Sequence, residues 1–102
     1  MSFVSYIMQK AIVKVMDVVT FAGNLVILGE VLDGHLKKGM IADVEPDTIK
    51  VARIEQGGKV VKEADPGRRV NIWIKGFTKK ENLEEASYAL KFDIKKARFE
   101  EK

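Results

Sequence analysis

"LGEVLDGHLKKGM", residues 28–40, places Gly29, Gly34 and Gly39 at intervals of five in a segment otherwise built of aliphatic and charged side chains. Gly34 and Gly39 bracket "HLKK", a connection between strands whose two ends need backbone angles that other residues avoid. Gly29 falls inside a strand, where glycine marks a bulge, a bend or the close approach of another backbone. Bent strands are what let a small sheet close into a barrel.

Outward from this segment, short runs rich in β-branched residues alternate with turn signals about every ten residues, the pattern of an all-β sandwich or barrel. Strands are expected near 9–19, 25–33, 40–45, 48–55, 59–63 and 69–76. "EPDT" at 45–48 supplies Pro46 for a tight turn, and "QGGK" at 56–59 supplies two residues able to take positive φ between paired strands. "DPGR" at 65–68 suits a type II turn, with Pro66 second and Gly67 third. In the strand 69–76, Val70, Ile72 and Ile74 share one face, the core face, while Asn71, Trp73 and Lys75 share the other. The run "LVILGEVLD" is apolar on both faces, so one side is expected to pack under a loop or the C-terminal segment.

A chain of 102 residues, 46% hydrophobic and 32% charged, is one small globular domain without room for a second core. It has no cysteine, which fits a reducing cytosol and also fits heat tolerance. The apolar start "MSFVSYIMQKAIVKVMDVV" carries Lys10, Lys14 and Asp17, which argue against a membrane span or a signal peptide, so a cytoplasmic location is expected. The formal charge is +3, with acids interleaved among the bases except at the pairs 68–69, 79–80 and 95–96.

Past Gly76, Thr78 is followed three residues later by Glu81, the spacing of a capping box. Leu83, Ala86, Leu90, Ile94 and Ala97 would form one helical stripe, whereas Tyr88, Leu90, Phe92 and Ile94 alternate as in a strand. The preferred reading is a short helix at 79–86 and a strand at 88–94, giving a barrel over 1–94 and a charged tail over 95–102.

"VTFAGNLVILGEVLDGHLKKGM" and "TIKVARIEQGGKVVKEADPGRRVNIWIKG" resemble domain II of the translational GTPases, the barrel shared by elongation factor Tu, its archaeal and eukaryotic counterparts and initiation factor two. Gly29, Gly34, Gly39, Ile54, Ala64, Gly67 and Gly76 occupy the matching places, and the resemblance covers roughly residues 10–94. It implies an all-β fold, a closed Greek-key barrel of six to seven strands with a short helix near 79–86. The only candidate for a phosphate loop, Gly57-Gly58-Lys59-Val60, lacks the upstream glycine and the magnesium-binding hydroxyl, so it reads as a hairpin turn. No nucleotide is therefore expected to bind, and the barrel is read as standing alone. In tRNA-carrying members the aminoacyl end lies against a segment aligned with residues 16–19. Only Asp17 matches there, Met16 and Val19 standing where the family has glutamate and phenylalanine, which argues against carriage of aminoacyl-tRNA.

With one histidine, His35, and serine only at 2, 5 and 87, no nucleophile, base and orienting residue can be assembled, so no enzyme is expected. His35 reads as a turn residue. "DVEPD" lacks the glycine and distal glutamate of a calcium loop, and neither a metal nor a cofactor is expected. Where the family has an acid after the turn glycine, this chain has Arg68 and Arg69, two guanidiniums able to hold phosphate. Lys37, Lys38, Lys79 and Lys80 also lie in or beside turns and could converge with them on RNA or the ribosome; the alternative is an ordinary charged surface. Trp73, on the outer face of its strand, is either buried by Tyr88, Leu90 or Phe92 or available to a protein partner. The expected function is a non-enzymatic module binding RNA in a translation-related role, the alternative a module docking onto a GTPase or ribonucleoprotein. A flavin-type barrel is disfavoured because nothing reads as a cofactor site.

Overall fold

The computed structural model describes residues 10–44, 46–76, 78–85 and 90–93. The strands are β1 (Lys10–Phe21), β2 (Asn24–Gly34), β3 (Leu36–Lys37), β4 (Ile41–Val44), β5 (Asp47–Gln56), β6 (Lys59–Val61), β7 (Glu63–Ala64), β8 (Arg69–Lys75) and β9 (Leu90–Asp93), with one helix, α1 (Lys80–Glu85), between β8 and β9. All pairings are antiparallel. The main sheet runs β4-β9-β1-β2-β8-β5-β6, and a further β4–β5 pairing brings it round into a nearly closed barrel of six strands, with β6 as a flap on β5. β4, β5 and β8 pair in succession and β2, which precedes them in the chain, pairs with the last, giving Greek-key order. Between β4 and β9 the seam consists of the single pair Ile41 and Asp93.

Aliphatic residues at alternate positions fill the barrel: Val13, Ile27, Val31, Ile49, Ile54, Ile72 and Phe92 are fully buried, and no polar side chain is buried among the described residues. Three residues interrupt the alternation. Met16 of β1, Leu32 of β2 and Ala52 of β5 are each the extra residue of a bulge, where the register slips by one. At the first of these, Gly29 sits opposite Val15; a side chain on Gly29 would press on Val13 Cγ1 at 2.7 Å and the Lys14 carbonyl at 2.9 Å. Glycine here permits two strands to approach.

The turns follow their residues. Gly57 and Gly58 both take positive φ between β5 and β6, and Gly67, at φ +89°, completes the turn in which Arg68 N–H donates to the Asp65 carbonyl. The β1–β2 hairpin turns on Ala22 and Gly23, and Ala22 has φ +52°, the left-handed region that penalises a β-carbon. Asn-Gly is the favoured pair for such a two-residue loop. Ala22→Asn is therefore expected to stabilise the domain by roughly 0.5–1 kcal/mol, read as a melting temperature raised by a few degrees; an unchanged or lower melting point would show that the tip relaxes without strain.

The helix forms as expected, but its cap differs. The Thr78 hydroxyl accepts from the side-chain amide of Asn82 at 3.3 Å, and the same amide reaches Asp47 at 3.4 Å, so Asn82 ties the helix to β5 while Leu83 plugs the core. The described part of the following segment is strand, pairing Leu90 with Val13 and Asp93 with Lys10. The tail at 95–102 lies outside the described residues, as do Ala86, Ser87, Tyr88 and Ala89. No helix among the described residues is long and apolar enough to cross a membrane.

Candidate nucleic-acid interface

The outer face of β1, β2, β8 and β5 carries its side chains in rows set by strand register. Val19 pairs with Val26, Val26 with Trp73 and Trp73 with Arg53, forming one row; Asp17 pairs with Leu28, Leu28 with Asn71 and Asn71 with Glu55, forming the next. Arg69, opposite Glu30, begins β8 beyond them. A depression of about 350 Å³ lies over the first row, lined by Val19, Phe21, Val26, Arg53 and Trp73 among others. A second of about 220 Å³ continues toward Met16, Asp17 and Arg69, and the two share Leu28, Glu55 and Asn71. Together they form one groove from the hairpin tip to the arginine turn.

Trp73 faces outward and is half-buried, as the alternation of β8 requires. Leu90 and Phe92 do not cover it, because both point into the core; Tyr88 lies outside the described residues. Its neighbours are Phe21, edge-on with ring centroids 6.4 Å apart, and Arg53, whose guanidinium carbon sits 4.2 Å above the indole. Arg53 is held there by Glu55 at 3.0 Å. Val26 is 3% exposed among these groups, which explains why β2 is apolar on both faces. Among the described residues, cover on this face comes from Phe21 near the hairpin tip together with Trp73 and Arg53.

Arg68 and Arg69 occupy a rigid turn, since Gly67 N–H donates to the Val31 carbonyl at 2.7 Å and Val31 N–H donates to the Arg68 carbonyl at 2.9 Å. Both side chains are exposed. Of the nearby carboxylates, Asp65 meets His35 at 2.9 Å and Glu63 meets Lys37 at 3.9 Å, flanking the two-residue ladder of β3 and β7, while Glu30 stands opposite Arg69 on β2 without an ion pair to it. Among the described residues neither arginine has a carboxylate within 4.0 Å. The same ladder carries Lys37 and Lys38 to the strand that leads into the arginine turn, Lys38 N–H donating to the Lys62 carbonyl. Lys79 and Lys80 are elsewhere. They follow the far end of β8, whose seven residues span roughly 20 Å, and Lys80 pairs with Glu84 at 3.8 Å along the helix. Four of the six basic residues therefore share a neighbourhood, and two do not.

Arg53, Glu55, Asn71 and Phe21 escaped the sequence reading. Outward parity on β8 identifies Asn71, but Arg53 and Glu55 lie beyond the Ala52 bulge, which reverses the parity of β5.

A nearly closed Greek-key barrel with a helix inserted before its last strand is the domain II type of fold found in translational GTPases. A solved structure of a bacterial selenocysteine-specific elongation factor matches it with a TM-score of 0.65 over 86% of the chain, at 19% sequence identity. The chain spans 15% of the length of that elongation factor. No family profile matches the sequence, and no curated protein matches it.

Proposed function

We propose that the chain is a non-enzymatic, cytoplasmic module that binds single-stranded RNA in a translation-related role. The observation that carries this reading is the arginine turn: two exposed guanidiniums without carboxylate partners within 4.0 Å among the described residues, on a backbone fixed to β2, with Arg69 at one end of a groove whose other end is lined by Phe21 and Trp73. Phosphate recognition uses such planar cations, and unstacked bases use aromatic and guanidinium surfaces. The likeness in fold to an elongation factor supports the translational setting. A second reading, docking onto a protein of the translation apparatus, draws on Phe21, which is 62% exposed beside Trp73.

The two readings differ in salt dependence. For RNA, the logarithm of affinity for a fluorescent single-stranded oligonucleotide should fall linearly with the logarithm of salt, by about 0.7 for each phosphate contact. Failure of the oligonucleotide to bind at low salt, with nuclease-resistant capture of a protein partner from cell extract, would replace the RNA reading by docking.

A further inference from the structure

We infer that His35, Glu63 and Asp65 form a binding site for a divalent transition-metal ion of the zinc type. The three residues belong to two segments far apart in the chain, so no spacing motif in the sequence displays them. The ladder of β3 and β7 brings them together. It pairs Leu36 with Ala64 and Lys37 with Glu63, and because Leu36 and Ala64 are buried, alternation turns Lys37 and Glu63 outward. His35 and Asp65, one position beyond the buried pair, face outward with them, and His35 Nδ1 lies 2.9 Å from Asp65 Oδ1. One ligand atom from each of the three exposed side chains falls within 4.8 Å of the others.

A zinc ion with bonds of about 2.0–2.2 Å to imidazole nitrogen and carboxylate oxygen holds its tetrahedral ligand atoms about 3.3–3.6 Å apart. The cluster reaches that spacing by rotating exposed side chains, without moving the ladder that carries them. One nitrogen and two carboxylate oxygens suit zinc better than magnesium or calcium, which take oxygen ligands. A fourth position is left for water. The ion would displace the proton between His35 Nδ1 and Asp65 Oδ1, and it would compete for Glu63 with Lys37, whose Nζ at 3.9 Å is beyond hydrogen-bond reach. The lysine charge opposes a second cation, so its removal should tighten binding. The ion's role there is structural: it clasps a ladder of only two residue pairs, and with it Asp65, whose carbonyl accepts the Arg68 N–H at 3.3 Å.

The test titrates the full chain, first freed of metal with a chelator, with Zn2+ in a calorimeter. One ion per chain should bind. His35→Gln, Glu63→Gln and Asp65→Asn, each alone, should weaken binding by about tenfold or more, and Lys37→Met should strengthen it. All three ligand positions are exposed, so these variants should keep the melting temperature of the metal-free protein. Zn2+ should raise the melting temperature of the unaltered chain and not that of a chain with all three ligands replaced. Affinity unchanged by Glu63→Gln and Asp65→Asn would reduce the cluster to a lone surface imidazole and overturn the proposal. Absence of saturable binding at millimolar Zn2+ would overturn it as well. So would Mg2+ bound as tightly as Zn2+, because the carboxylates would then be acting without the histidine.

Discussion

Replacing Gly34 by valine is expected to leave little or no folded protein. Gly34 ends β2 at φ +73°, and a β-carbon there would overlap the carbonyl of Lys10 and crowd Ala11 Cα at 3.1 Å. The obstacle is the backbone of β1, which cannot swing aside as a side chain could, and Ala11 pairs directly with Gly34. Gly39 provides the matched comparison: its φ is +94°, yet nothing lies within 4 Å of where a β-carbon would stand. Gly39→Val should therefore lose only the strain of an unfavourable backbone region, about 1–3 kcal/mol. Gly34→Val adds steric displacement of a paired strand and should lose about 4 kcal/mol or more, at the extreme end of single substitutions. Urea unfolding of the two variants makes the comparison, and equal losses would show that β1 yields.

Replacing Arg68 and Arg69 together by glutamine is expected to weaken RNA binding by tenfold or more at moderate salt and to flatten its salt dependence. Each lost phosphate contact lowers the steepness of the log–log plot by about 0.7 for a single strand, so two contacts remove about 1.4. The fold should survive, because both side chains are exposed and the bonds that fix the turn are made by backbone groups. Pairing with surface acids such as Glu30, opposite Arg69, would contribute no more than about 1 kcal/mol in any case. Lys37→Gln with Lys38→Gln should produce a smaller loss in the same direction. Lys79→Gln with Lys80→Gln should leave the slope unchanged, since those residues follow the opposite end of β8. An arginine variant that keeps the full slope would remove the turn as the contact and favour docking through Trp73.

Most of the barrel can be read from residue types, because its turns declare themselves through Pro66, Gly67, Gly57 and Gly58, and because β8 alternates without interruption. Gly29 marks the neighbourhood of the bulge at Met16, but the bulges at Leu32 and Ala52 cannot be read that way. Counting by twos from Ile49 and Val51 places Arg53 inside, but the extra residue at Ala52 sends Ile54 to the core instead, at 0% exposure, and turns Arg53 and Glu55 outward beside Trp73. The same happens on β1, where Met16 makes room for Val18 to enter. The register slip depends on how two strands meet across the sheet, information that neither strand contains alone. The arginine turn was legible as an exposed, charged turn because charge and turn residues coincide in four positions. The groove was not, since its walls come from four strands whose relative parity only pairing determines.

The seam of the barrel also imposes an order in time. Strand β1 emerges first during synthesis, finds β2 at once through a two-residue hairpin, and then presents its other edge, Lys10–Val13, with no partner until Leu90–Asp93 has been made. Throughout translation of the intervening residues that edge is an open template for a neighbouring chain. Lys10 and Lys14, both exposed, flank it, and their charge discourages stacking of one nascent copy on another. These two lysines, which serve no contact in the finished barrel among its described ion pairs, are thus guards of an interval rather than of a structure.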